Sequence, residues 1–463
     1  MMSLADEIIN QNISNVRSIL QYGTDVNQLD EYGFTPLIEA AIANNIEIAK
    51  MIISFGADTN LTDSTGGTAL HWASENNNQE FCRLLLDNRA NPNAYTFAGQ
   101  PVMVMPLLRQ QNDLKKLLQQ YGADLRFTQD FINAKLLGHM FELVGTGNIV
   151  DPKNNYVEVD FEGFYLEVSL AIISESLAQF QNHFAARKLR RYADVTQIVI
   201  NSLERATQLI KYQQYQTNLA ANEATINALL RQEPLVIPVG YEGHAITFIK
   251  IDGILAKCDR REDSRLYDNI VFYQVKDLNN FSQKLLKHLI YEKISDQFIN
   301  HDLEKILNLI PITELRVEAQ ISGNCSWANV EACIPSIFFL MLMASQNDPK
   351  NIPQFKSLAL NYFHQWREWN QNRALHFCIK SFESGDTIRN VCKAEILAAI
   401  LFQRCRYENF SDRERIESIL SVLFKSTYIH IIENYVKAYC YESQSKEGKD
   451  FASLLKTYGY TKI

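Results

Sequence analysis

A spacing of 33 residues dominates the first quarter of the chain. Gly23, Gly56, Arg89 and Gly122 fall on it. So do Thr35-Pro36-Leu37, Thr68-Ala69-Leu70-His71 and, more loosely, Pro101-Val102-Met103. This restricts the fold more than composition does. A unit of that length holds two short amphipathic helices and a turn, too little to bury its own apolar face. Neighbouring units must stack, so the segment is read as a solenoid in which each repeat packs on the next. Gly23, Gly56 and Gly122 stand where a helix end calls for φ > 0. Arg89 takes the same position at a backbone cost of about 1 kcal/mol. Each unit closes in a polar loop, and the tips Asp30–Tyr32, Asp63–Thr65 and Thr96–Ala98 are expected to project side by side.

The period and the TPLHxA-like signature resemble ankyrin repeats, over residues 1–127 as four units with the terminal ones degenerate. The resemblance implies binding of a protein partner by the fingers and the concave face. Asp30, Tyr32, Asp63, Thr65 and Phe97 are the candidate contacts on the finger tips.

Composition narrows the remaining possibilities. At 463 residues, with 46% hydrophobic and 21% charged residues, the chain reads as two or three ordinary globular domains. A net charge of −8 argues against general affinity for nucleic acid. The cysteines at 82, 258, 325, 333, 378, 392, 405 and 440 form no CxxC pair. Neither a zinc site nor a disulfide framework follows from them, and a reducing compartment does. The first residues lack the layout of a secretory signal. The longest apolar run, Ala332–Ser345, is short for a membrane span and contains Pro335.

From residue 128 to 349 the repeat disappears and the chain reads as α+β. Tyr156–Val168 alternates like a hairpin about Glu162-Gly163. Leu235–Gly240, His244–Ile251 and Ile270–Val275 read as strands, and Asp252-Gly253 is a type I′ turn dipeptide. If those two residues form the loop, Ile251 faces Ile254 and facing residues sum to 505. Asp259 then lies one diagonal step from His244 on the same face, within reach of a hydrogen bond. Asp263 is the reserve for that acid. Further on, Gly323-Asn324 delivers Cys325 to the start of an apolar helix read as Ala328–Met343. A helix N-terminus carries about half a positive charge and favours a thiolate.

His244 in GHAITF, Asp259, Gln320 and Cys325 in GNCSWAN, in that order, resemble the papain-like cysteine peptidase fold. The order is the one used by ubiquitin-like-protein proteases, adenoviral-type proteases and related acetyltransferases. The resemblance implies Cys325 as nucleophile, His244 as general base, Asp259 as orienting acid and Gln320 as oxyanion donor. Ser326-Trp327 after the cysteine departs from the glycine usual in that group and is similar to the papain-type Cys-Trp pattern.

Residues 350–463 read as helices, among them Ile352–Gln371 and Arg373–Ser384, and are expected to form an all-α cap. The whole layout resembles the translocated ankyrin-repeat effectors of Legionella. It implies type IV secretion, with the polar tail YESQSKEGKDF as export signal, and action in the host cytoplasm or nucleus. The expected function is binding of a host protein by the repeats and hydrolysis of a peptide or isopeptide bond through a thioester. The chain is expected to work as a monomer without cofactor, metal, nucleic acid or membrane span. Two alternatives stand beside it. One is an inactive protease-like scaffold. The other is an acetyltransferase with the same triad, for which Arg260 and Arg261 offer cations to the phosphates of acetyl-CoA.

Overall fold

The computed structural model describes residues 3–213, 219–241, 243–261, 269–321, 323–345, 349–443 and 445–462. The chain divides into two compact units. One comprises Met1–Lys135, Thr146–Asp160 and Glu383–Ile396; the other comprises Leu136–Gly145, Phe161–Phe382 and Leu397–Ile463.

The first unit opens with four helix pairs: Leu4–Ile9 with Ile13–Gln21, Pro36–Ile42 with Ile46–Ser54, Ala69–Glu75 with Gln79–Asp87, and Val104–Leu108 with Asn112–Gln120. Thr35 caps its helix by accepting the Ile38 N–H at 3.2 Å. Pro36 sits in the first turn, where no N–H is needed. His71 does a related job on the next pair. Its Nδ1 accepts the Thr68 N–H at 3.1 Å and its Nε2 lies 3.2 Å from the Gln100 carbonyl. Burial holds its pKa at about 4, so the ring is neutral, accepts at Nδ1 and donates from Nε2. Asn27, Asn60 and Asn93 join successive units: their side-chain oxygens accept the N–H of Asp58, Asn91 and Asp124 at 2.9, 2.8 and 2.7 Å. Gly23, Gly56 and Gly122 have φ of 88, 95 and 95°, and Arg89 shares the left-handed region at 68°.

Two further pieces of chain complete this unit. Strand β1 (Thr146–Val150) pairs antiparallel with β2 (Tyr156–Asp160). The hairpin expected about Glu162-Gly163 is therefore displaced. Tyr156–Asp160 pairs backward in the chain, and the segment after Gly163 opens the helix Leu166–Asn182. In the segment Glu383–Ile396, Arg389 pairs with Asp130 and lies 3.8 Å from Asp124.

The second unit is built on an antiparallel meander, β3 (Leu235–Tyr241), β4 (His244–Ile251), β5 (Ile254–Cys258), β6 (Ile270–Val275) and β7 (Leu309–Leu315), adjacent in that order. Asp252 and Gly253 turn β4 into β5 with φ of 44 and 75°, as a type I′ turn needs. Strand alternation gives the sheet two buried faces. Ile237, Val239, Ile246, Phe248 and Leu255 pack with Leu209, Ile226 and Leu286. On the other face Phe272 meets Phe339 at 4.9 Å between ring centroids. The helix behind that face is broken into Cys325–Glu331 and Cys333–Ser345 instead of running unbroken. Pro335 has no N–H for the carbonyl four residues back, which accounts for the break at Ala332. Taken across that break, Cys325–Ser345 is, among the described residues, the one helical stretch long and apolar enough to cross a membrane, and most of its apolar window is buried inside the protein. In the C-terminal third the two helices expected over Ile352–Gln371 and Arg373–Ser384 are one, Ile352–Lys380. No Gly or Pro lies at the expected joint to stop it.

Candidate active site

The β4–β5 register runs from Ile251↔Ile254 to Thr247↔Cys258, the pairing that the two-residue turn dictates. It leaves Asp259 one residue beyond β5 and His244 at the start of β4. His244 Nε2 lies 3.1 Å from Asp259 Oδ1. Arg261 grips the same carboxylate: Nη2 donates to Oδ2 at 2.9 Å and Nε donates to Oδ2 at 3.1 Å and to Oδ1 at 3.2 Å. Burial pushes the Asp259 pKa up. The bonds from His244 and Arg261, with the Lys257 charge, outweigh it and hold the carboxyl at about 2.

The thiol arrives from a distant part of the chain. Gly323 has φ of +79°, and a Cβ there would stand 2.4 Å from the Glu162 side chain, so the loop leading to Cys325 requires glycine. Asn324 anchors the loop: its Oδ1 lies 2.5 Å from His139 Nδ1 and its Nδ2 donates to the His139 carbonyl at 3.3 Å. Cys325 is then the first helical residue and is half-buried. The His244 ring and the backbone N–H groups of Ala245 and Ser326 act on its sulfur as hydrogen-bonding partners that favour the thiolate. Burial raises the thiol's pKa, yet these bonds and the imidazole charge bring it below the ordinary value. His244 moves the opposite way. Burial works against its charge, but the bonds to Asp259 and Cys325 raise it to about 9. Because Nε2 faces the carboxylate, Nδ1 is the nitrogen left for the sulfur. The cysteine is moved down and the histidine up, the directions in which each favours the charged form of the other.

Other expected site residues fare differently. Gln320 is fixed through its backbone, whose N–H donates to the Arg260 carbonyl at 2.8 Å. Its Oε1 is buried with no hydrogen-bond partner among the described residues. Asp263 lies outside the described residues. Arg260 is fully buried, with Nη2 2.9 Å from Glu142 and Nη1 3.5 Å from Glu331. Buried and paired there, Arg260 is not a cation within reach of acetyl-CoA phosphates, whereas Arg261 is part-exposed. On the finger tips Tyr32 and Phe97 are 65% and 74% exposed, and Thr65 is exposed. Asp30 is half-buried and accepts the N–H groups of Tyr32 and Phe34 at 2.9 Å. Asp63 must be corrected as a partner contact. It is 3% exposed, and its carboxylate accepts bonds from Thr65, Gly67 and Trp72 that shape the loop. Among the described residues no group of three or more His, Cys, Asp or Glu could hold a metal.

Sequence reading missed the residues that hold the site in place. Glu331 accepts the Trp327 Nε1–H at 2.8 Å, and Arg367 pairs with both Glu142 and Glu331. Asn329 bonds both Ala245 in β4 and Arg260 just beyond β5. The available signal was a lone carboxamide and a lone carboxylate inside the apolar stretch CSWANVEACIPS. Polar residues survive there only when they are bonded.

Comparison with known families and structures accords with this layout. A family model for ankyrin repeats matches residues 3–96 in three copies. Comparison with the curated proteins returns no match. Among solved structures, that of the Legionella effector AnkH is similar over 100% of this chain and 98% of its own, with 35% identity and a TM-score of 0.84. An agreement of that extent embraces the repeats, the sheet and the helical C-terminus alike, and the chain belongs to the family of the Legionella effector AnkH.

Proposed function

We propose that the protein is a translocated effector that binds a host protein through its ankyrin repeats and acts on it with a cysteine-hydrolase site of papain-like type. Cys325 is the nucleophile, His244 the base and then the acid, and Asp259 the group that orients the imidazole. One observation carries this reading: His244 Nε2 lies 3.1 Å from the Asp259 carboxylate, and the Cys325 thiol and this imidazole shift each other's pKa toward the charged forms. The thiolate attacks a carbonyl carbon and forms a thioester. The His244 imidazolium gives its proton to the leaving amine, then deprotonates the water that releases the acid. Gln320 and the Cys325 backbone N–H serve the developing oxyanion. The effector role rests on the relationship to AnkH.

Activity-based probes test the site. A peptide or ubiquitin-type electrophile should label the full chain at Cys325 and fail on Cys325→Ala. A wild-type protein inert to every such electrophile would leave a binding scaffold, with Tyr32 and Phe97 as its contact residues.

A further inference from the structure

In a hairpin closed by a two-residue turn, facing residues alternate between pairs that exchange two backbone hydrogen bonds and pairs that exchange none. The pair beside the turn, Ile251↔Ile254, is of the first kind. So are Ile249↔Ala256 and Thr247↔Cys258. The next pair in the series is Ala245 with Arg260, and there the ladder stops. All four of its backbone groups are expected to bond across the strands, and the structure accounts for each elsewhere. The Arg260 N–H goes to Asn329 Oδ1 at 2.8 Å. The Ala245 carbonyl accepts from Asn329 Nδ2 at 2.6 Å. The Arg260 carbonyl accepts the Gln320 N–H at 2.8 Å. The Ala245 N–H leaves β4 on the same side as the Ala245 carbonyl and favours the Cys325 thiolate.

We propose that Asn329 is a positioning residue that holds the β4–β5 ladder open by one pair, which releases the Ala245 N–H to the nucleophile and the Arg260 carbonyl to the Gln320 backbone. This role rests on the Cys325–His244–Asp259 reading. A side-chain carboxamide suits the task because it donates and accepts in one plane, as a peptide group does. Asn329 is 1% exposed and stands one helical turn after Cys325. Ala245 directly follows His244, and Arg260 directly follows Asp259. One amide thus sets the spacing of all three groups. Had the ladder continued, Ala245 and Arg260 would satisfy each other, and the sulfur would lose a donor.

The test is the pH dependence of Cys325 alkylation by iodoacetamide in the full chain, located by mass spectrometry. Wild type should titrate below an ordinary thiol. Asn329→Leu should move the profile up by about one to two pH units and slow alkylation at pH 6.5 by roughly tenfold or more. Asn329→Ser, polar but too short to span both strands, should shift the same way and stands in if the leucine variant does not fold. Val330→Ala, a cavity on the same helix turn with no polar group on the ladder, should leave the profile in place. An unshifted profile in the Asn329 variants overturns the proposal alone, and so does an equal shift in Val330→Ala. An ordinary thiol titration in wild type overturns the triad reading and this proposal together.

Discussion

The two units use the same side chain in opposite ways. In the repeats, Asn27, Asn60 and Asn93 each bond a backbone N–H 31 residues further on, so one contact is stamped out three times. In the sheet-bearing unit, Asn324 bonds His139 across 185 residues, and Asn329 bonds Arg260 and Ala245 across 69 and 84. These contacts join segments with no common spacing. Repetition spreads stability over equivalent joints, so the loss of one is a fraction of the whole. A site assembled once from distant segments has no such redundancy, and each of its buried polar partners is indispensable.

The sharpest way to break this contrast is at the thiol. Cys325→Ala should lower hydrolysis and probe labelling by at least about a thousandfold while partner capture by the repeats is unchanged; loss of both would merge the two functions. Next comes the frame. Arg260→Met leaves Glu142 and Glu331 to share Arg367 alone and should cost about 3 kcal/mol in denaturant unfolding. A variant as stable as wild type would mean that the cluster is not holding the strands.

The acid comes third. Asp259→Asn should cut turnover by roughly a hundredfold and pull the His244 pKa down from about 9, so the alkaline limb of the rate profile moves to lower pH. The signs follow from the shifts. His244 is raised from 6.5 to about 9, so its contribution to stability is whole below 6.5 and is lost as pH rises through about 9. Asp259 is depressed from 3.8 to about 2, so its share stands above 3.8 and is lost as pH falls through about 2. An alkaline limb that Asp259→Asn leaves unmoved would deny the His–Asp coupling.

Smaller effects belong to the repeats. Tyr32→Ala with Phe97→Ala should weaken partner capture without moving the melting temperature, since both rings stand in solvent. Arg89→Gly should stabilise the array by about 1 kcal/mol, because φ there is 68°. A destabilised Arg89→Gly would show that the arginine side chain outweighs its backbone strain.

How much of this was legible in the sequence follows the same division. The repeats declare themselves because a local rule recurs every 33 residues. The proximity of Asp259 to His244 was legible because Asp252-Gly253 fixes the strand register. Arg260 was offered as a cation for acetyl-CoA phosphates, since an arginine looks the same in a sequence whether or not it is buried. The groups that neutralise it stand 118 and 71 residues away. Asn329 was overlooked for a like reason: nothing local reveals a broken ladder. The alternation of Tyr156–Asp160 was recognised but its partner was not, because Thr146-Gly147-Asn148 disguises a strand.

Neither unit is a continuous stretch of polypeptide, and this bears on how the protein comes into being. The repeat-bearing unit includes Glu383–Ile396, whose Arg389 neutralises Asp130. A ribosome must therefore release nearly the whole chain before that unit has all its parts, although its first helices emerge at once. A fragment ending near residue 130 would carry the recognition surface yet lack its closing piece. Grafting the repeat-bearing unit onto another protein would need the separate segments Thr146–Asp160 and Glu383–Ile396 as well, not a single cassette.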